Sequence, residues 1–153
     1  MTLPDVAGDT ELALDTGVEP EPFPYVWLAY WDSHDNPEPL HSWAHLAFLL
    51  GQLGTCEDLA YLIVYRTDSV DRSAQAYGFS GGMFVEALLP DAVWRAGHEG
   101  NRGRSTSIPG ANGHRLEGLF SEVFDATAAT SIMRSWLAHG AVGPGLVKRW
   151  LDI

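Results

Sequence analysis

Lysine, cysteine and long apolar runs are what this chain has least of. Cys56 is the one cysteine in 153 residues. A lone thiol closes no internal disulfide and builds no zinc-finger or iron–sulfur ligand set, so a reducing cytoplasm is the expected compartment. The apolar stretches run only a few residues, far short of the roughly 20 that cross a bilayer. The opening Met1-Thr2-Leu3-Pro4-Asp5 shows no basic stretch leading into an apolar one, so no signal peptide is expected.

Positive charge is missing from the leading third. Residues 1–58 hold eleven Asp and Glu and no Lys or Arg, and the first base is Arg66. From residue 59 onward nine acids face nine bases, so the net charge of -11 belongs to the first segment alone. A field of that sign repels phosphate backbones and anionic lipid, which argues against nucleic acid or a membrane as partner. It speeds encounter with a basic protein.

Apolar and aromatic residues are plentiful. A hydrophobic fraction of 46%, with six Trp, five Tyr and six Phe, is enough to fill one core at this length. Residues 1–24 combine acids with Pro4, Pro20, Pro22 and Pro24, a composition that predicts a mobile arm. Residues 25–153 then form a single globular domain.

Within that domain the pattern predicts a strand over 25–31, ended by turn residues from Asp32 to Pro37. A helix follows over 39–54, apolar on nearly every side and therefore expected at the centre. Strands are expected over 59–65, 74–79 and 83–89, the last two joined at Ser80-Gly81-Gly82, with a short element at 92–95. The Gly-rich stretch 97–113 reads as a long irregular loop. Strand character returns over 116–124. Asp125 then caps a helix over 126–139, whose buried stripe is Ala129, Ile132, Met133, Trp136 and Leu137, and Gly140 closes it. The tail 146–153 fits a helix or a strand. Together these elements specify an α+β two-layer sandwich, a mainly antiparallel sheet with two principal helices on one face.

The candidate chemistry is thin. His41 and His45 share a helical face at i, i+4 near Asp32, His34 and Asp35, a spacing that suits a divalent ion, but Ser42 stands where a metalloprotease would carry its glutamate. Arg95, Arg102, Arg104 and Arg115 surround the Gly-rich stretch and would suit an anion. Gly78-Phe79-Ser80-Gly81-Gly82 satisfies the string of a nucleophile elbow, yet the residues after it predict a strand where the elbow needs a helix. Cys56 lies beside Glu57 and Asp58, which disfavour a thiolate, and Ser121 has no motif around it. Glu86, Glu117 and Glu122 sit in or beside strands and could pair as carboxylates. The aromatics Trp27, Tyr30, Trp31, Tyr61, Tyr65 and Tyr77 could fill the core or line an interface.

These readings favour binding over catalysis, with no cofactor and no metal expected. The chain has the physical character of bacterial immunity proteins and antitoxins, which are small, acidic and poor in cysteine and neutralise partners with positive active sites. That is an analogy of character, not of sequence. The expected partner is a basic protein such as a toxin. Asp32, Asp35, Glu38, Glu57 and Asp58 are the expected charged contacts, with Trp27 or Trp31 as an anchor. The competing expectation is a small enzyme or ligand-binding domain, with an aromatic pocket and the arginine-bearing loop closing over an anion.

Overall fold

The computed structural model describes residues 23–29, 37–54, 59, 61–68, 72–99, 104–110 and 114–151. Residues 1–22 of the proposed 1–24 arm, along with Tyr30, Trp31, Asp32, His34, Asp35, Cys56, Glu57, Asp58 and Arg102, lie outside them. The strands are β1 (Tyr25–Ala29), β2 (Glu38–Pro39), β3 (Tyr61–Arg66), β4 (Ser73–Phe79), β5 (Gly82–Leu89), β6 (Ala92–His98), β7 (Ser105–Pro109), β8 (Arg115–Leu119) and β9 (Leu146–Trp150). The helices are α1 (Trp43–Gly51) and α2 (Ala126–His139), and a 3-10 turn spans Phe120–Glu122. None of the described helices is long and apolar enough to cross a membrane.

Seven strands form one sheet in the order β9-β6-β5-β4-β3-β1-β2, each paired antiparallel with its neighbour, and β7 and β8 form a separate hairpin. The fold is α+β, as the sequence pattern predicts. Alternation along the strands sends Trp27, Leu62, Val64, Ala74, Ala76, Met83, Val85 and Ala87 into one core with Leu46, Leu49 and Leu50 of α1 and the predicted stripe of α2. Each large aliphatic side chain fully buried there contributes about 1.5–3 kcal/mol. Asp125 accepts from the Ala128 N–H at 2.9 Å to start α2, and Gly140, at φ 75°, ends it in the left-handed conformation that favours glycine.

The structure departs from the sequence pattern in four places, one of them the expected strand over 116–124, which ends at Leu119 where Phe120–Glu122 form a 3-10 turn. Helix α1 starts at Trp43 rather than 39, because the Ser42 hydroxyl accepts from the His45 N–H at 3.0 Å and so sets the N-terminus. Pro39 instead pairs with Val26 on the edge strand β2, where a missing N–H costs little. Helix α1 is also not central: Ala44, Ala47 and Phe48 are exposed, so its all-round apolar character does not mean all-round burial. Finally, Ser105–Pro109, within the expected loop, is strand β7, whose backbone pairs with β8. The tail resolves as strand β9, where Trp150 packs at a tilt against Trp94 with ring centroids 3.9 Å apart.

Candidate functional site

The sheet face opposite the helices carries a buried charged seam. One rung crosses five strands, with Ile63, Gln75, Glu86, Arg95 and Arg149 as successive partners on β3, β4, β5, β6 and β9. Tyr61 donates to Gln75, while Gln75 and Tyr77 donate to Glu86. Arg95 donates from Nε and Nη2 to Glu86 Oε2 at 3.0 and 2.8 Å, and from Nη2 to the Tyr77 hydroxyl at 2.6 Å. Its guanidinium lies 4.2 Å from the centre of the Phe84 ring.

That rung opposes two like charges, since Arg95 and Arg149 are direct cross-strand neighbours. Glu122, delivered by the 3-10 turn, compensates both. Its carboxylate accepts from Arg149 Nε at 2.6 Å and Nη2 at 2.9 Å, and lies 3.7 Å from Arg95 Nη1. It also accepts from the Leu119 N–H at 2.9 Å, which ties the end of β8 to the seam. Glu86, Arg95 and Glu122 are all buried.

The seam clamps the β7–β8 hairpin onto the sheet. Arg95 Nη1 donates to the Glu117 carbonyl at 3.0 Å. Gly118 sits so close that a Cβ there would lie 2.6 Å from Phe84 and 2.7 Å from Arg95, so only glycine permits this approach. Burial pushes the Tyr77 hydroxyl well above the ordinary phenol range, reinforced by its hydrogen bond to Glu86 and the charge there, with Arg95 opposing. Burial works against the Glu122 carboxylate, but the Arg149 hydrogen bonds, the Leu119 N–H and the charges of Arg149 and Arg95 outweigh it and hold the group below the usual carboxylate range. A phenol that stays protonated and a carboxylate that stays ionised do not exchange protons near neutral pH.

Of the three candidate carboxylates, Glu86 and Glu122 are thus brought together through Arg95, while the Glu117 side chain is exposed. Ser80 lies in the turn between β4 and β5 and leads into a strand, and Ser121 is buried. Of the candidate anion-binding arginines, the three described ones, Arg95, Arg104 and Arg115, do not converge. Arg95 is spent on Glu86, the Arg104 guanidinium lies 5.1 Å over Phe120, and Arg115 donates to the Ser107 carbonyl at 2.9 Å at the other end of the hairpin. Five antiparallel residues separate those ends by about 14 Å.

His41 and His45 do come together. Their rings stack at 4.9 Å, and His45 Nδ1 accepts from the His41 N–H at 3.1 Å, which occupies that ring nitrogen. Burial, then the neighbouring His41, lowers the His45 pKa, with Glu38 opposing. Among the described residues no group of three or more His, Cys, Asp or Glu is placed to hold a metal ion. Trp27 faces the helices, 8% exposed, with its ring edge-on to His45, so it belongs to the core rather than to an outer anchor.

Two features, the linkage of Glu86 to Glu122 through Arg95 and the outward Phe48, were not read from the sequence. The seam had a signal: Glu86 and Arg95 interrupt strands that are otherwise apolar, a place where charges persist only when paired. The outward Phe48, 62% exposed, had none, since it is one apolar residue among many in α1.

Comparison with known proteins gives no match: no family model, no curated protein and no solved structure matches the chain.

Proposed function

We propose that this chain is a small protein-binding protein of the inhibitor or immunity type, whose acidic N-terminal half engages a basic surface of a partner such as a toxin. The observation that carries the reading is the segregation of charge, with eleven acids and no Lys or Arg before residue 59. In the later segment three arginines are held by acids of that same segment: Arg66 by Asp68, Arg95 by Glu86, and Arg149 by Glu122. Glu38 is exposed on the edge strand β2, and Asp32, Asp35, Glu57 and Asp58 are the further contacts the proposal names. A cluster of one sign steers an oppositely charged protein and raises its association rate.

The test is capture from a lysate of the native host on immobilised full-length protein, eluted with rising salt and read by mass spectrometry. The expected result is a basic protein released by about 0.5 M salt, where screening acts within a few ångströms. Retention that ignores salt, or capture of acidic proteins only, contradicts the reading.

A further inference from the structure

The seven-stranded sheet ends on two edges, β2 and β9. An open edge offers unpaired N–H and C=O groups to any extended chain, and natural sheets blunt theirs. The β2 edge is blunted, being two residues long with Pro39 as one of them. The β9 edge is not. Leu146-Val147-Lys148-Arg149-Trp150 contains no proline, keeps unbroken register with β6, and exposes its last three residues.

Register fixes which main-chain groups of β9 face outward. The Leu151 N–H donates to the Val93 carbonyl at 2.9 Å, which makes these two a hydrogen-bonded pair of the ladder. Bonded and non-bonded pairs alternate between antiparallel strands. Arg149 with Arg95 and Val147 with Gly97 are therefore bonded pairs, and the N–H and C=O groups of Lys148 and Trp150 point away from β6. Among the described residues nothing takes them up.

Basic side chains can guard an edge by projecting over it. Here neither does. Arg149 is turned onto Glu122, and the Lys148 ammonium lies on the helix side of the sheet, 4.7 Å from the Trp94 ring centre and 5.9 Å from that of Trp136. Strands β6 and β9 hold no acid, and within the seam Glu86 and Glu122 are matched by Arg95 and Arg149. Lys148 is left over, with no ion pair among the described residues. Asp91 and Glu99 lie beyond the two ends of β6, and Asp152 follows the last described residue.

We propose that β9 is a strand-addition site for an extended, acidic segment of a partner protein. The segment lies antiparallel to β9, as every neighbouring pair in this sheet does, and bonds the outward groups of Lys148 and Trp150. An Asp or Glu opposite Lys148 meets its ammonium, beside the Trp150 ring, which is 58% exposed. This contact is additional to the basic partner proposed above. Charge disfavours a second copy as the occupant. Full antiparallel overlap of β9 with itself sets Lys148 against Lys148, and like charges directly opposite destabilise a pair.

The probe is a short labelled peptide alternating threonine and glutamate, titrated with the full chain while fluorescence anisotropy is read. At about 0.15 M salt, repulsion from the rest of this acidic chain is screened beyond about 8 Å. Lys148→Glu is expected to weaken binding about fivefold or more, since it replaces an exposed attraction with a repulsion. Circular dichroism of the variant should match the parent, because Lys148 is exposed. N-methylation of the glutamate amides, which removes the donors that face β9, is expected to abolish binding. In hydrogen exchange the free chain should lose the Lys148 and Trp150 amide protons faster than that of Arg149, and the peptide should slow both. Binding that ignores Lys148→Glu or the N-methyl groups overturns the proposal. So does equal or tighter binding of a peptide with lysine for glutamate, or no binding of the glutamate peptide. Sedimentation showing a dimer with the Lys148 and Trp150 amides already protected makes a second copy the occupant, and overturns it as well.

Discussion

Arg95 shows how much one side chain can be asked to do inside a sheet. It neutralises Glu86, shares Glu122 with Arg149, covers Phe84 and holds the backbone of β8. Removing one partner of a buried pair leaves an uncompensated charge, so Arg95→Met should cost about 3–5 kcal/mol in denaturant unfolding. Arg66→Met, which breaks the exposed pair with Asp68, should change stability little by the same measurement. Glu122 adds a pH dependence whose sign follows from its depressed pKa. The unfolded chain takes up the proton first as pH falls, so this contribution is present at neutral pH and is lost below the usual carboxylate range. The thermal midpoint of the parent should therefore exceed that of Glu122→Gln at about pH 6, and the gap should narrow towards about pH 3. A gap that widens on acidification contradicts the assignment.

At the scale of elements, legibility followed locality. Helix α2 could be read because its determinants lie within it: the Asp125 cap, a stripe at helical spacing and Gly140. The β4–β5 hairpin could be read from its two-residue turn. Strands β7 and β9 could not be settled, because each is a strand by virtue of a partner, β8 for one and β6 for the other, rather than by its own composition. The seam was half legible for the same reason. Glu86, Glu117 and Glu122 stood out as candidate carboxylates, but only register shows that Glu86 and Arg95 face each other, and only the 3-10 turn shows why Glu122 joins them. Gly118 tests the hairpin clamp directly. A methyl group there collides with Phe84 and Arg95. Gly118→Ala should destabilise by about 1–3 kcal/mol, the usual cost of overpacking. Hydrogen exchange of the β7 and β8 amides should rise more than that of α2. Uniform exchange in both regions would mean that the hairpin does not depend on this approach.

For the molecule as a whole, residues 59–153 carry equal numbers of acids and bases, and the seam fixes the hairpin to the sheet. By sequence count the imbalance, a net charge of -11, belongs to residues 1–58. The proposed function uses that imbalance, and its most direct test is the salt dependence of affinity for the basic partner captured by the full-length chain. The comparison is between the parent and a variant carrying Asp32→Asn, Asp35→Asn, Glu38→Gln, Glu57→Gln and Asp58→Asn. The parent should lose affinity steadily as salt rises, and the variant should bind more weakly at low salt with a much flatter dependence. Equal slopes for the two proteins would contradict the account.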